Sequence, residues 1–564
     1  LSDKNRFREW KLLPERGKIE DFFGEKIADN TQTFQLHMIP EDVPNMETLF
    51  FKLSRVIDFS QSKKNRIIKR LKKRKRWEPI VVSDNLTWSE FSKVNLFLHE
   101  IQGVKPVVVL SRKYSSDGSS SHLVGYVSDT SQKDLENNKF LREINVPGLK
   151  TGKNGLEKIL NKSIIGKPGV QRFEVNAFGK RIKELELIKG VKGENFRTTL
   201  DNTVQKSATE LMKGKSGSVC VMDVYTGDII SLVSSPTFDP NKFVHGITQN
   251  DWELLLKDEM KPLLNKSMSG LYPPGSTIKP IVALSALEND VVSPKKIIKC
   301  NGKMELYGQT YHCWKDKGHG FMNLRSAIKQ SCDIYFYEMA RLLGVDKLSI
   351  IAKRYGLGSN ILKDIYFDEK KGVVPNTQWK KNAIGKSWYL GETVINGIGQ
   401  GYIQTTPLQL CLMTAQIANG GYKIKPHVLY DKNINFENIK LKIAKELIND
   451  NSFSNTTVNK NYLEEREYQL YERLYKKSQN ITFVKDAMFG STNELYGTSY
   501  KSRYENPKYQ FAGKTGTSQV RRITEADREL GLKQSEIEYK NRDHALYIAF
   551  APYKEPRYSI SVLI

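Results

Sequence analysis

The chain has 564 residues, of which 39% are hydrophobic and 27% are charged, so it is long enough to bury a large core. No run approaches 18 consecutive apolar residues, which excludes a membrane-spanning helix within this sequence. The formal net charge of +25 suits either a polyanionic partner or a Lys-rich compositional bias. Because the charge is spread along the chain and no nucleic-acid-binding motif accompanies it, we favour the bias and expect no nucleic-acid partner.

The first 195 residues combine short strands, turns and basic helices without a catalytic constellation. The densest basic run, residues 63–76, has apolar residues at helical spacing, which predicts an amphipathic helix with a solvated charged face. The Ser-rich stretch 115–121 predicts a turn, and Leu123–Val127 predicts a strand. We expect a separate, non-catalytic domain over residues 1–195.

Residues 196–564 have the pattern of a second domain that mixes helices and strands. The apolar runs Gly217–Val224 and Ile229–Val233 flank a Tyr-Thr-Gly-Asp turn, which predicts a hairpin. Strand-like runs return late in the chain with helical patterns between, which predicts an α+β fold with one sheet built from both ends of the region. The predicted helices are Lys279–Asn289, Leu324–Leu343 and Thr406–Ala418, and the predicted late strands are Tyr509–Ser518, Ala545–Ala551 and Tyr558–Ile564.

Two further features concern the organisation of this second region. Residues 430–508 are rich in Asn, Lys, Glu and Tyr, and we interpret them as a surface insertion or a helical excursion. The sequence ends within a strand-like run at Ile564, so we expect the natural chain to continue.

Ser276 is the first candidate for a reactive residue. Pro273-Pro274-Gly275 turns the chain immediately before it, and Lys279 follows one helical turn later on the same face. A serine hydroxyl needs a neighbouring base to act as a nucleophile, and a lysine amine can serve if burial or another cation lowers its pKa. Alone, the Ser-x-x-Lys pattern is equally typical of a helix N-cap.

Two later segments complete a recognisable set. Ser331–Asp333 reads Ser-Cys-Asp within a helical pattern, and Lys514–Thr517 reads Lys-Thr-Gly-Thr on a predicted strand. A fixed positive charge at Lys514 is expected to keep Lys279 neutral and to hold a substrate carboxylate, while Gly516 lets a substrate backbone approach closely. Ser-x-x-Lys, Ser-x-Asn and Lys-Thr-Gly in this order are the signature of penicillin-binding proteins and serine β-lactamases. Here Asp333 stands where the second motif usually has asparagine, which puts the usual hydrogen-bonding role of that residue in doubt.

The rest of the chain resembles penicillin-binding protein 2, the family of class B transpeptidases of cell elongation. The resemblance covers nearly the whole chain outside residues 430–508, and the Ser-Cys-Asp variant is seen in this subfamily. The similar segments are Pro14–Asp21 and Ile27–Asn30 outside the family's membrane anchor, His122–Tyr126 and Glu174–Ala177 in its pedestal domain, and Asp239–Asn241, Gly399–Tyr402 and Arg542–Ala545 in its transpeptidase domain.

The resemblance implies a pedestal domain followed by a transpeptidase domain with an antiparallel sheet and a helical subdomain. It also implies acyl transfer, in which Ser276 attacks the carbonyl between the two terminal D-alanines of a peptidoglycan stem peptide and Lys279 takes its proton. An amine of a neighbouring stem peptide then forms the cross-link, and β-lactam antibiotics acylate the same serine. Ser331 is expected to relay the proton to the leaving amine. The backbone N–H groups of Ser276 and Thr517 are expected to form the oxyanion hole, and Thr515 and Thr517 to bind the substrate carboxylate with Lys514.

The same resemblance implies where the protein works. We expect a periplasmic domain of an inner-membrane protein, with a single N-terminal anchor that precedes this sequence. We also expect a RodA-type glycosyltransferase and elongation-complex proteins such as MreC as partners.

Three of the five cysteines cluster with a histidine between the first two motifs. Cys300, Cys313, His319 and Cys332 form a complete ligand set for structural zinc, although their spacing is not that of a standard zinc finger. A Cys300–Cys313 disulfide and plain buried thiols are the competing interpretations. The resemblance favours zinc in the loop 300–332, with His319 preferred to His312, since this family can carry zinc at matching places. Cys220 and Cys411 lie in apolar patterns and are predicted to be core residues.

Other functions remain alternatives. A D,D-carboxypeptidase or a β-lactamase would use the same serine but pass the acyl group to water; the large N-terminal region and the lack of an identifiable glutamate base argue against both. A non-catalytic β-lactam sensor would need a signalling domain, and none is visible in the sequence.

Overall fold

The structure, a computed structural model, describes residues 7–72, 75–176, 181–362, 365–366, 368–431, 472–521 and 534–564. It forms two compact units, which we describe separately. The N-terminal unit comprises Leu1–Thr198 and Phe238–Leu254, and the C-terminal unit comprises Thr199–Thr237 and Leu255–Ile564. No helix in the described ranges is both long enough and apolar enough to cross a membrane.

The N-terminal unit is built on a five-stranded sheet whose long central strand pairs on both sides. In this sheet the order is β10-β2-β3-β4, and β5 also pairs with β3 along its whole length. A second sheet has the order β1-β8-β9, and β6 pairs with β7. The strands are β1 (Phe7–Leu12), β2 (Ile19–Glu20), β3 (Lys26–Met38), β4 (Ile80–Leu86), β5 (Val104–Tyr114), β6 (Val127–Asp129), β7 (Lys150–Gly152), β8 (Gly169–Val175), β9 (Arg181–Ile188) and β10 (Phe196–Arg197).

Short helices cover one face of this sheet. Leu36 and Met38 of the central strand pack with Leu53 and Ile67 from two of the helices to form the main core of the unit. The helices are α1 (Met46–Val56), α2 (Gln61–Leu71), α3 (Trp88–Leu96), α4 (Ser121–Val124), α5 (Gln132–Asn137), α6 (Lys139–Ile144), α7 (Gly155–Ile159), α8 (Asn161–Ile164) and, from the second segment of the unit, α10 (Asn241–Val244).

Of two predictions for this unit, one is confirmed and the other is wrong. The basic run folds as the amphipathic helix α2, with Ile67 buried and its cationic residues largely exposed, as predicted; residues 73–74 of that run lie outside the described residues. The prediction of a strand over Leu123–Val127 is wrong, because Ser121–Val124 form one helical turn and the strand begins only at Val127. Gly125 ends the turn at φ +80°, a conformation that a glycine adopts without strain.

A buried ion-pair network lies inside the N-terminal unit. The carboxylate of Glu157, which is fully buried, accepts hydrogen bonds from Arg16 Nε at 2.8 Å, Arg112 Nε at 2.6 Å and Tyr114 OH at 3.1 Å. Burial alone would raise the pKa of Glu157, but the guanidinium groups of Arg112 and Arg16 lower this pKa below its ordinary value. The network therefore holds a carboxylate and two cations in the interior, where losing one partner is costly.

The C-terminal unit is built on one antiparallel sheet with the order β12-β11-β19-β18-β17. The predicted hairpin is confirmed as the β11–β12 pair, and the prediction of one sheet made from both ends of the region is confirmed because β19 pairs with β11. The strands of the sheet are β11 (Gly217–Asp223), β12 (Ile229–Ser235), β17 (Ala512–Ser518), β18 (His544–Ala551) and β19 (Tyr558–Leu563); four short strands, β13 (Ile298–Cys300), β14 (Lys303–Leu306), β15 (Gln309–His312) and β16 (Gly320–Met322), form two small ribbons.

A fully buried helix, α18, packs on this sheet. All its residues are buried, and Cys411 Sγ lies 3.4 Å from the carbonyl oxygen of Cys220 on β11, which confirms both cysteines as core residues. The helices are α9 (Asn202–Leu211), α11 (Gln249–Lys257, which starts in the N-terminal unit), α12 (Lys279–Glu288), α13 (Leu324–Lys329), α14 (Asp333–Leu343), α15 (Val345–Arg354), α16 (Thr377–Ile384), α17 (Leu390–Asn396), α18 (Pro407–Ala418) and α19 (Ser478–Asn493).

The interpreted insertion at 430–508 is only partly described, since residues 432–471 lie outside the described residues. Its later part contains α19, a helix of the unit's interior. Ile481, Val484 and Met488 of this helix are buried. The side chain of Asn493, its last residue, donates a hydrogen bond to the carbonyl of Phe511, one residue before β17, at 2.8 Å.

Candidate active site

Ser276 lies in a single 3₁₀ turn, Gly275–Ile278, that runs directly into α12. The turn sits tightly against its neighbours: Gly275 N donates to Gly399 O at 2.9 Å, and a Cβ at Gly275 would lie 2.3 Å from Thr517 O. Gly275 also has φ +53°, so glycine is needed here for two reasons. Ser276 is partly exposed, whereas Lys279 is fully buried, so the hydroxyl can meet a substrate while the amine is shielded from water.

Lys279 is the meeting point of the first two motifs. Its Nζ donates to Asp333 Oδ1 at 2.7 Å, to the Ser331 carbonyl at 2.9 Å and to Ser331 Oγ at 3.1 Å. Within the described residues these are the hydrogen bonds of Nζ, and none runs to Ser276 Oγ. Catalytic contacts of this kind often tighten only when substrate binds.

The prediction of a continuous helix over Leu324–Leu343 is wrong, and the break occurs at the second motif. Helix α13 ends at Lys329, Ser331 adopts φ +56°, and α14 begins at Asp333. A left-handed conformation costs a residue other than glycine about 1–3 kcal/mol, so surrounding contacts must hold it. The break turns both the hydroxyl and the carbonyl of Ser331 toward Lys279 Nζ.

Asp333 accepts hydrogen bonds on both of its carboxylate oxygens. Oδ1 accepts from Lys279 Nζ, and Oδ2 accepts from the backbone N–H of Trp314 at 2.9 Å. Both partners are donors, so an asparagine would present its own NH₂ group to one of them. This arrangement gives a physical reason for aspartate at the position where the motif usually has asparagine.

Lys514 lies on β17 with its side chain fully buried, and its Nζ donates to the Thr515 carbonyl at 2.9 Å. Burial, reinforced by the nearby Lys279, lowers the pKa of Lys514 well below its ordinary value, although Asp333 opposes the shift. The sequence led us to expect a fixed positive charge here. Burial works against that charge, whereas Lys279 has a carboxylate partner in Asp333.

Gly516 allows β17 to pass close to the Ser276 turn. A Cβ at this position would lie 2.7 Å from Thr277 Cγ2 and 3.1 Å from Pro274 O. On the same strand, Thr517 is exposed, and Gln400 Nε2 donates to its carbonyl at 2.9 Å. Strand β17 is an edge strand, so its free side can pair with an extended peptide.

Sequence reasoning missed Thr498 as a residue of the site. Thr515 Oγ1 donates to Thr498 Oγ1 at 2.9 Å, and Ser491 Oγ lies 3.1 Å from the same atom. Thr498 follows helix α19 in a segment that carries no motif, so no signal in a single sequence could have identified it. Its hydroxyl fixes the orientation of a motif side chain from behind the strand.

The Cys/His cluster forms beside the second motif. One ligand atom from each of Cys300, Cys313, His319 and Cys332 lies within 4.8 Å of all the others, and His312 is not part of the group. All five cysteines are free, so the alternative Cys300–Cys313 disulfide is not formed.

The donor set fits zinc. His319 Nδ1 lies 3.6 Å from Cys300 Sγ and 3.5 Å from Cys313 Sγ. Zn–S bonds of about 2.3 Å and Zn–N bonds of about 2.0–2.1 Å at tetrahedral angles place sulfur and nitrogen about 3.6 Å apart. His319 Nε2 is buried and has no hydrogen-bond partner among the described residues, which leaves Nδ1 as the nitrogen aimed at the thiols.

Comparison with known proteins identifies the family of the chain. The family described as penicillin-binding protein dimerisation domain matches residues 11–198, and that described as penicillin-binding protein transpeptidase domain matches residues 217–564. The chain is 31% identical to the peptidoglycan D,D-transpeptidase MrdA of Salmonella typhimurium over 100% of its own length and 86% of the relative. It is 32% identical to the protein of the same name from Acinetobacter baumannii, over 100% of its own length and 79% of the relative.

Solved structures show the same likeness. Penicillin-binding protein 2 of Helicobacter pylori, in a complex with MreC, matches with a TM-score of 0.78 and 28% identity over 99% of this chain and 94% of that one. Penicillin-binding protein 2 of Pseudomonas aeruginosa, in complex with WCK 5153, matches with a TM-score of 0.68 and 27% identity over 99% of this chain and 92% of that one. The chain belongs to the penicillin-binding protein family, in the group of peptidoglycan D,D-transpeptidases named MrdA or penicillin-binding protein 2.

Proposed function

We propose that this protein is a serine D,D-transpeptidase that cross-links peptidoglycan stem peptides during cell elongation and is inactivated by β-lactams. The observation that carries the proposal is the convergence of the first two motifs on one buried amine, Lys279, whose Nζ contacts Ser331 and Asp333. The third motif lies beside them, because Gly516 brings β17 close to the turn that carries Ser276. Membership of the transpeptidase family supports the reaction class. Residues 196–564 serve as the catalytic domain and residues 1–195 as its pedestal.

In the first step, Ser276 Oγ attacks the carbonyl carbon of the terminal D-Ala-D-Ala bond, and D-alanine leaves. The Ser276 hydroxyl proton passes to Lys279 Nζ. Ser331 Oγ, 3.1 Å from Nζ, then relays a proton from Nζ to the amine of the leaving D-alanine. The backbone N–H groups of Ser276 and Thr517 bind the oxyanion, a contribution of about 3–4 kcal/mol per donor.

In the second step, an amine of a neighbouring stem peptide attacks the acyl-enzyme carbonyl, and the Ser276 oxygen regains its proton. Thr515 and Thr517 bind the carboxylate of the donor peptide, with Lys514 as the nearby amine. Gly516 leaves the edge strand free to align the peptide backbone. Release to water instead of an amine would make the protein a D,D-carboxypeptidase.

The partners and the location follow from the same assignment. The Helicobacter pylori relative is in a complex with MreC, which supports MreC as a partner of this protein. A RodA-type glycosyltransferase would supply the glycan strands. The catalytic domain then works in the periplasm, attached to the inner membrane by an anchor.

We also propose a structural zinc ion held by Cys300, Cys313, His319 and Cys332. The matching sulfur–nitrogen distances and the absence of a disulfide support it. With four protein ligands the ion has no open position, so it supplies folding free energy to the loop and no chemical step. Because Cys332 adjoins Ser331, the metal would fix the start of α14.

Fluorescent penicillin labelling followed by peptide mapping tests the central assignment. We expect label on Ser276 and none on Ser276→Ala. Ser60→Ala is the matched control, since Ser60 and Lys63 form a second Ser-x-x-Lys pattern in which the serine side chain merely caps helix α2. Label elsewhere in wild type, or an unlabelled wild type, would refute the assignment; D-alanine release without cross-linked dimer would favour the carboxypeptidase.

Metal analysis of freshly purified protein tests the zinc. We expect close to one equivalent in wild type and much less in Cys313→Ala, together with slower β-lactam acylation. Less than about a tenth of an equivalent in wild type would refute the proposal.

A further inference from the structure

We propose that Trp314 is a positioning residue for acyl transfer, because its indole and backbone hold the second motif in its reactive geometry. The inference rests on the proposed function and assigns a role to a residue outside the three motifs. Trp314 belongs to the loop between β15 and β16, yet its two N–H groups are both directed at Ser331–Asp333 and the residue before them.

The contacts are specific. The indole Nε1–H donates to the Ser331 carbonyl at 3.0 Å and to the Gln330 carbonyl at 3.2 Å. The backbone N–H of Trp314 donates to Asp333 Oδ2 at 2.9 Å. One residue therefore contacts both motif residues that bind Lys279 Nζ.

Core packing does not explain this tryptophan. The residue is 59% exposed, so it does not belong to the buried core. A large aromatic residue with an exposed face and an N–H directed at backbone carbonyls is placed for its hydrogen bonds.

Ser331 needs such support because its backbone is strained. At φ +56° the residue leaves the helical conformation of its neighbours, and its carbonyl points away from the helix ladder. That carbonyl accepts from Lys279 Nζ on one side and from Trp314 Nε1 on the other. Among the described residues, removal of the indole N–H leaves the lysine as the one side-chain donor to this carbonyl, and we expect the Ser331 hydroxyl to lose its fixed orientation.

Trp314 also links the site to the Cys/His cluster. It directly follows Cys313, and its ring meets the His319 ring edge-on, with centroids 5.3 Å apart. The loop therefore contacts Ser331 and Asp333 through Trp314, in addition to the direct connection of the cluster at Cys332.

The test is Trp314→Phe, which keeps an aromatic ring and the backbone N–H but removes the indole donor. Trp388→Phe is the matched control, since Trp388 Nε1 donates to Thr393 Oγ1 at 2.7 Å in the same unit. In the described part of the chain, this indole makes no hydrogen bond to Ser331 or Asp333. Stopped-flow labelling with a fluorescent penicillin separates the rate constant of acylation from the dissociation constant of the first complex. Zinc content and melting temperature are measured on the same samples.

We expect Trp314→Phe to lower the acylation rate constant about tenfold, equivalent to about 1.4 kcal/mol, with the dissociation constant, zinc content and melting temperature near those of wild type. Trp388→Phe should acylate at the wild-type rate. A full acylation rate in Trp314→Phe, an equal loss in both variants, or a loss that follows zinc content would each overturn the inference while leaving the proposed function intact. A wild type that is not acylated at all would overturn the proposed function, and this inference with it.

Discussion

Replacing Gly516 by alanine should separate the strand of the third motif from the nucleophile. The residue lies on β17, opposite the turn that carries Ser276. Its φ lies outside the left-handed region, so alanine introduces no backbone strain of its own. The single effect of the substitution is the volume of one methyl group.

The size of the effect follows from the contacts of that methyl. The new Cβ would lie 2.7 Å from Thr277 Cγ2 and 3.0 Å from the backbone nitrogen of Thr277. Ordinary carbon–carbon contacts lie at about 3.5–4.0 Å, so strand and turn must move apart by up to about 1 Å. Overpacking of this kind costs about 1–3 kcal/mol of stability. A displacement of about 1 Å in a catalytic arrangement costs about 100-fold in rate.

The assay is the second-order rate constant of acylation by a fluorescent penicillin, measured beside the melting temperature. We expect a loss of about 100-fold in Gly516→Ala. Gly490→Ala in α19 is the control, since the Cβ there would first meet the flexible end of Glu494 at 3.3 Å. Wild-type acylation in Gly516→Ala would refute the reasoning that the close approach of β17 to the Ser276 turn sets the geometry.

Two further predictions concern the N-terminal unit, and both are measured by urea-dependent pulse proteolysis of the full chain. Glu157→Gln should destabilise the unit by about 3–5 kcal/mol, because two guanidinium groups lose their buried counter-charge. Glu186→Gln is the control and should lower the free energy of unfolding by less than about 1 kcal/mol, since the Glu186 side chain is 53% exposed in its ion pair with Arg172. Equal losses of unfolding free energy in the two variants would contradict the first prediction. Burial, with Lys105 nearby, lowers the pKa of His37 to about 4 from 6.5, so the unfolded chain binds this proton first as the pH falls. The free energy of unfolding of the unit should fall by about 3 kcal/mol as the pH is lowered from about 6.5 to 4. An unchanged dependence of this free energy on pH in His37→Gln would show that another group is responsible.

The features that the sequence predicted well depend on local chemistry. The hairpin of β11 and β12 follows from a turn between two apolar runs, and the basic helix α2 follows from apolar spacing. The candidate reactive residues could be predicted because their motifs are short and contiguous. The contact of Lys279 with Ser331 and Asp333 depends on the tertiary structure, and the order of the motifs implied it only through the family.

The features that the sequence did not predict depend on contacts between distant segments. At the helix break, the Ser331 carbonyl accepts hydrogen bonds from Lys279 and Trp314, and nothing in the helical spacing of that region indicates the break. Thr498 reaches the site from a stretch that composition alone made look like an insertion. The prediction of a strand at Leu123 was wrong because Ser121–Val124 form a helical turn that ends at Gly125, which has a positive φ. The short apolar run with β-branched residues there is compatible with either a strand or a helix.

The position of β19 in the sheet has a consequence for how the enzyme matures. Strand β19, at Tyr558–Leu563, lies between β11, at Gly217–Asp223, and β18. Before β19 has been synthesised, β11 and β12 cannot be joined in one sheet to β17, the strand that bears Lys514. Pairing of strands so far apart in the sequence is slow. A chain still emerging from the ribosome or the translocation channel would hold Ser276 and Lys279 but no acyl site. Reactivity toward penicillin should therefore appear only after the segment of β19 has been synthesised and has paired in the sheet.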